Sequence, residues 1–302
     1  TNFANSESRI PYSYINYGTD AAPYGNYSIN RDNRMRFVSD ALLTYDKKIA
    51  KDFTVTASVG ASTRLDQYNK LESKTTGGLS VPEWYNLDNS RDPVRSTNER
   101  IEKQVYGVYG YVDLDYRNMA TLSLTGRNDW TSALQSPYNS YFYPSASLSL
   151  IVSEMFHLPE AISYFKLRGA VTDATTDISA YSALLTYDVK NRWNGNPSLY
   201  LPNTLRPPGL KPNKTISQEY GAELRLFRNR IGLDFTYFNY DRTNNVVEVP
   251  LSEASGFAQL QLNGDRYRRR GIELVVSGTP VQTENFKWTT TLNYSRLRNT
   301  VL

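Results

Sequence analysis

The chain has 302 residues, enough for two ordinary domains or a section of one large one. Its 34 basic and 30 acidic residues leave a net charge of +4, too even a balance for a nucleic-acid binder, and the lack of cysteine excludes a disulfide scaffold and thiolate metal sites. Mean hydropathy is −0.55, and no apolar run approaches the ~20 residues of a spanning helix, so the chain is either soluble or a membrane protein built from strands.

Residue 1 is Thr, not a start methionine, and no signal peptide precedes it, which suggests an internal piece of a longer protein. Residues 1–34 are rich in Asn, Ser, Tyr, Gly and Pro without a sustained period and read as a loop region. From Phe37 the alternation begins: Phe37, Ala41, Leu43 and Tyr45 share one face, and after a turn over 46–52 Phe53, Val55, Ala57 and Val59 alternate with Thr54, Thr56 and Ser58. A long polar stretch, 64–103, is expected to be a loop. The pair 104–116 and 119–129 turns at Arg117-Asn118, with Asp113 and Asp115 on one face of the first strand and Arg127 and Asp129 on the same face of the second. A medium loop, 130–141, leads to a strand with Ala146, Leu148, Leu150 and Val152 on one face. Then come a short connection over 154–162 and a strand over 163–173 with Lys166 and Arg168 opposite Phe165 and Leu167.

After a second long stretch, 174–216, comes the clearest signal in the chain. Tyr220, Ala222, Leu224 and Leu226 alternate with Glu219, Gly221, Glu223 and Arg225; past Arg228-Asn229-Arg230, Ile231, Leu233, Phe235 and Tyr237 alternate with Gly232, Asp234 and Thr236. Period two on both sides of a tight turn means an antiparallel hairpin with one oily face and one polar face. A loop over 242–265 precedes a last pair, in which Ile272, Leu274 and Val276 oppose Glu273, and Phe286, Trp288 and Leu292 oppose Lys287.

Ten strands of roughly ten residues match a tilted bilayer crossing. The connections alternate between short and long, as expected when short turns lie on the periplasmic side and long loops on the extracellular side. The reading is therefore all-β: residues 35–302 form part of an antiparallel transmembrane barrel wall, with the short turns periplasmic. A complete ten-stranded barrel carrying an outer-membrane enzyme and a soluble carbohydrate-binding β-domain are the alternatives.

Five stretches, Thr125-Gly126-Arg127-Asn128-Asp129-Trp130-Thr131-Ser132, Phe142-Tyr143-Pro144-Ser145, Lys166-Leu167-Arg168, Asn229-Arg230-Ile231 and Gly271-Ile272-Glu273, occur in the order and approximate spacing of the barrel of SusC/RagA-family TonB-linked outer-membrane proteins. From about residue 35 onward the chain resembles that family. The resemblance implies about ten strands of a 22-stranded barrel with a plugged lumen, energised through the TonB complex by parts not in this chain. It also implies a SusD-like surface lipoprotein as partner, import of oligosaccharides or peptides, and no enzymatic activity or cofactor.

Candidate residues follow from face and loop. Asp113, Asp115, Arg127, Asp129, Lys166, Arg168, Glu219, Glu223, Arg225, Asp234, Glu273 and Lys287 point inward and are mixed in sign, which fits either a solvated lumen face or contacts with a plug. Trp84, Tyr85, Trp130, Trp193 and Tyr200 are placed in loops. There they either stack on substrate or pack the loops on themselves, and the many prolines favour self-packing. Arg266, Arg268 and Arg270 share the parity of Ile272, which puts them on the outward face beside an extracellular loop, where lipopolysaccharide phosphates lie. The single His157 sits in a short turn without partners for metal or acid–base chemistry and reads as structural.

Overall fold

The computed structural model describes residues 1–12, 24–194 and 196–302, with the side chains of 190–193 and 197 left out. One antiparallel sheet of eleven strands runs in the order β1 (Asn2–Tyr12), β2 (Tyr24–Ala50), β3 (Phe53–Leu79), β4 (Ser90–Tyr116), β5 (Ala120–Thr131), β6 (Ser140–Ile151), β7 (Ile162–Thr176), β11 (Asn213–Leu226), β12 (Ile231–Thr243), β15 (Tyr267–Gln282) and β16 (Lys287–Val301). Between β7 and β11 lie β8 (Asp188–Trp193) and β9 (Asn196–Tyr200), which form a hairpin, and β10 (Thr204–Leu205); between β12 and β15 lie β13 (Asn245–Pro250) and β14 (Gln259–Gly264). Strand β14 pairs with β10 and β13 in a small three-stranded sheet.

All ten expected strands are present, and β1 is an eleventh. Residues 1–34, expected to be loop, instead carry β1 and the first part of β2, paired from Asn2 opposite Arg34 to Tyr12 opposite Tyr24. The polar stretch 64–103 is also mostly strand: β3 runs to Leu79 and β4 starts at Ser90, so the connection is only 80–89. The reason is physical. Alternation marks a strand only where one face meets something apolar, whereas a ladder with polar groups on both faces leaves no period to read.

Short turns join β4 to β5 and β11 to β12, and both use left-handed backbone, with Asn118 at φ 56° and Asn229 at φ 64°. Asp115 locks the first turn by accepting the Asn118 amide (2.9 Å) and the Thr121 hydroxyl (2.9 Å). Arg117 in that turn donates to Asp52 between β2 and β3 (2.7 Å) and thereby holds the Asp52 carboxyl below its ordinary range. Strands β6 and β7 are joined through the one-turn helix α1 (Val152–Met155) and residues 156–161, which include His157.

The chain divides into two compact units. The first comprises Thr1–Ser39 and Thr63–Val105 and has its own small core. Here Leu79 is fully buried and accepts the Tyr12 hydroxyl at its carbonyl oxygen, while Tyr27 donates its amide to Thr75 (3.0 Å). Asn89 ties the 80–89 connection together: its Nδ2 donates to the Val81 (2.8 Å) and Trp84 (2.7 Å) carbonyls and its Oδ1 accepts the Val81 amide (2.9 Å).

The second unit comprises Asp40–Ser62 and Tyr106–Leu302. Its buried apolar side chains, among the described residues, are Ala133, Leu134, Ile178, Ala183 and Leu210, all in or beside the long connections, with Tyr141 and Val246 packed against them. The sheet contributes nothing to this core from its apolar face, where Leu124 (43 % exposed), Leu148 (43 %), Tyr220 (50 %) and Phe235 (41 %) stand open. A water-soluble sandwich would bury that face.

Candidate functional site

In an antiparallel ladder, directly opposed residues point to the same side of the sheet. Ser149 opposes Arg168, Arg168 opposes Gly221, Gly221 opposes Thr236, Thr236 opposes Glu273 and Glu273 opposes Ser295, which defines one polar face across six strands. Lys166 opposes Glu223, and Glu223 opposes Asp234, on the same face. Thr121 opposes Ser149, and Arg127 and Asp129 share its parity on β5. Glu219, Arg225 and Lys287 share the parity of this face on their own strands, as Asp113 and Asp115 share that of Tyr109 on β4. The register thus gathers the predicted inward charges on one side.

Two networks organise them. In the first, Arg168 on β7 reaches across β11 to β12: its Nη2 donates to Asp234 Oδ1 (2.7 Å) and Thr236 Oγ1 (2.7 Å). Only a glycine on the intervening strand lets the guanidinium lie flat, since a Cβ at Gly221 would meet Arg168 Nε at 2.5 Å. Alongside, Tyr240 donates to Glu219 (2.6 Å), and Arg225 donates through Nη2 to Glu223 (2.7 Å). A cleft of about 260 Å³ opens here, lined by Lys166, Arg168, Glu219 and Thr236 among others. The Arg168 and Asp234 side chains are 38 % and 40 % exposed, so the pair itself contributes on the order of 0–1 kcal/mol.

The second network is tighter. Asp129, 8 % exposed, accepts from Arg127 Nε (2.7 Å) and from the Tyr143 hydroxyl (2.7 Å), while Arg127 Nη2 donates to Ser62 (2.8 Å). The guanidinium also lies 5.2 Å from the Tyr109 ring, whose hydroxyl donates to Asp40 (2.6 Å). Gly107 leaves the room, because a Cβ there would meet Arg127 Nη2 at 2.2 Å. Asp40, Tyr143, Thr236 and Tyr240 were missing from the sequence-derived set, although their strand parity was available.

Replacing Gly221 by Leu is expected to overpack the first network and cost ~1–3 kcal/mol. In an Arg168→Ala background most of that cost should vanish, as a double-mutant cycle on denaturant midpoints of the full-length protein would show. Equal costs in both backgrounds would mean that Arg168 does not fill the space over Gly221.

The loop aromatics are placed differently. Trp84 is half exposed, and Tyr85 sits 6.4 Å from the Tyr27 ring with Arg9 5.8 Å above it, so Tyr85 is a packing residue of the first unit. Tyr200 lies on β9, and Trp193 on β8 has its side chain outside the described residues. Trp130 needs correcting. It belongs to β5, not to a loop, and it shares the face of Leu122 and Leu124, opposite Arg127 and Asp129, which places it on the apolar side. Among the described residues, the core of the long connections in the second unit includes Leu134, Ile178 and Leu210.

Sequence reasoning also missed a cleft of about 420 Å³ in the long connections, lined by Asp177, Asn213, Arg242, Gln261 and Asp265 among others. The Oδ1 of Asn213 and the Oε1 of Gln261 are buried there without a hydrogen-bond partner. No motif announces this cleft, because its walls come from segments far apart in the chain.

The family model for the TonB-dependent receptor-like β-barrel matches residues 1–301. The chain belongs to that family. The TonB-dependent receptor P26 of Formosa agariphila is 26 % identical over 288 residues, covering 92 % of this chain and 29 % of the relative. The receptor P39 of the same organism is 22 % identical over 274 residues, covering 88 % and 26 %. The solved RagAB peptide transporter superposes with a TM-score of 0.84 at 16 % identity, over 99 % of this chain and 33 % of that one. The chain thus spans about a third or less of the length of these TonB-dependent proteins. The resemblance drawn from the five motifs is borne out, and so is placement in the outer membrane as part of a β-barrel. A soluble β-domain is excluded. The family is one of receptors and transporters, not enzymes.

Proposed function

We propose that this chain is part of the wall of an active importer of bulky nutrients, oligosaccharides or peptides, driven through the TonB complex and working with a SusD-like surface lipoprotein. In this reading the polar face lines the lumen, the short turns are periplasmic, and the long connections receive cargo. The observation that carries it is the mixed-sign, hydrogen-bonded polar face, in which Arg168 spans three strands to reach Asp234. A wide passive pore selects with one sign of charge, whereas a wall that grips a movable plug needs partners of both signs. Membership of a TonB-dependent family supports the same reading, as does the likeness to a solved protein described as a peptide transporter.

Uptake of labelled peptide and oligosaccharide pools by cells producing the full-length protein should require both the protein and an intact TonB system. Uptake unchanged by loss of TonB would contradict the proposal. If Trp84 and Trp193 stack on cargo, replacing either by Ala should weaken capture about tenfold by calorimetry. Unchanged affinity in both variants would leave them only a packing role.

A further inference from the structure

We infer that the apolar face carries, at its border on the long-connection side, an arginine site for the phosphate of an outer-leaflet lipid headgroup. The site is formed by Arg268 and Arg270 of β15 with Arg296 and Arg298 of β16. It rests on the outer-membrane placement of the barrel and not on what the barrel transports.

The border can be drawn from the register. Ala146, Val171, Gln218, Asn239, Arg270 and Arg298 oppose one another in turn and form one row across β6, β7, β11, β12, β15 and β16. The end of the apolar band on each strand, the last apolar or aromatic residue before the first amide or charged one on the way outward, does not follow this row, although Ile216 stands alone beyond Gln218 on β11. It is Phe142 on β6, four residues beyond Ala146, and Val171 itself on β7. On β11, β12 and β15 it is Tyr220, Tyr237 and Ile272, each two residues short of the row, and on β16 it is Tyr294, four residues short of Arg298.

The border therefore shifts by eight residues, about 27 Å of strand, over five strand steps of about 4.8 Å each. That slope is close to the ~45° tilt of strands in a membrane barrel. An edge set by lipid predicts such a diagonal. An edge set by packing against another protein has no reason to follow the tilt. The aromatics Phe142, Tyr220, Tyr237 and Tyr294 along it form the girdle expected at an interface.

Beyond this border the first outward residues are Gln218, Asn239, Arg270 and Arg296, and the next are Ile216, Asp241, Arg268 and Arg298. Four guanidinium groups from two adjoining strands thus lie within two outward positions of the girdle. One acid, Asp241, faces them. It is taken by Arg268, which donates to it from both Nε and Nη2 (2.9 Å each), with Arg266 at 3.7 Å. Among the described residues Arg270, Arg296 and Arg298 have no ion-pair partner, and Arg270, on the inner strand of the pair, is exposed. Arg270 and Arg298 stand directly opposite each other, an arrangement of like charges that destabilises a ladder unless an anion lies between them.

A phosphate at headgroup depth supplies that anion, bound bidentately by planar guanidinium groups. The structure thus revises the sequence-derived patch. Arg268 and Arg270 face outward as expected, Arg266 precedes β15 and only approaches Asp241, and the partners of Arg270 are Arg296 and Arg298.

The test uses full-length protein extracted from its own outer membrane, with co-purified lipopolysaccharide measured per barrel by mass spectrometry of its hydroxylated fatty acids. The triple variant Arg270→Gln, Arg296→Gln, Arg298→Gln should lose about tenfold, the equivalent of one charge-assisted contact. Arg269→Gln, on the polar face of the same strand, should retain wild-type lipid. If the triple variant fails to assemble, the Arg270→Lys, Arg298→Lys pair, which keeps charge but not the bidentate fork, should show a partial loss. Delipidated wild-type protein should rebind lipid A in detergent, and millimolar inorganic phosphate should not displace it. Equal lipid in wild type and triple variant would overturn the site. Displacement by inorganic phosphate would assign it to free anion and overturn the headgroup.

Discussion

Replacing Leu233 by Arg in the full-length protein is expected to destabilise the barrel by ~2–4 kcal/mol, whereas Asp234→Asn should leave assembly nearly intact. Leu233 lies in the row Leu224, Leu233, Val276, Leu292, well inside the apolar band. A guanidinium there has lipid on every side and no acid within the row. Asp234, one residue away, faces the other side and holds Arg168 in a pair exposed enough for its neutral amide to lose on the order of 0–1 kcal/mol. Heat-modifiable mobility on gels reads assembly directly. Equal effects at the two positions would show that the faces have been assigned wrongly.

A comparably large effect is expected at Asn89, which is only 2 % exposed and makes three side-chain hydrogen bonds inside the 80–89 connection. Asn89→Ala strips partners from the Val81 amide and from the Val81 and Trp84 carbonyls. The Trp84 carbonyl keeps the Asn86 amide (3.1 Å), but leaving both Val81 groups without partners should remove ~2–4 kcal/mol of local stability. Hydrogen exchange of the full-length protein should show protection over 81–89 falling roughly thirtyfold or more, with β12 unaffected. Unchanged protection would mean that the connection is held by the backbone of its 3₁₀ turn, Leu87–Asn89, and not by the Asn89 side chain. This connection presents Trp84, so the same variant also asks whether cargo capture depends on an ordered loop.

The expected strands of the sheet were legible because one face meets lipid and the other does not: 231–240 reads as a strand from Leu233, Phe235 and Tyr237 alone. The polar parts of β1–β4 were not, since Asn30, Arg31 and Asp32 alternate nothing while remaining in the ladder. The grouping of residues by side agrees with the register, because parity along a strand is a geometric fact once the strand is found. Partners across the sheet were another matter. That Arg168 passes Gly221 to reach Asp234, or that Arg270 meets Arg298, depends on register, which turns and bulges fix and composition does not. The register shift between Gly278 and Val281, for example, is marked by Gly278 and Pro280 as a bulge, but those residues do not say which partners follow it. Trp130 was misplaced for a related reason: the strand continues past Arg127 and Asp129, and an aromatic at its end resembles a loop residue until its pairing with Ser140 is known.

The central claim is that one face of this sheet meets lipid and the other meets the lumen. Site-directed spin labelling of 231–238, one cysteine at a time in the full-length barrel in membranes with any cysteine outside this chain replaced by Ser, tests it most directly. Labels at 233, 235 and 237 should collide with oxygen dissolved in lipid, and labels at 232, 234 and 236 with a water-soluble nickel chelate, in strict alternation. Uniform accessibility along the strand, or alternation in the opposite phase, would contradict the account.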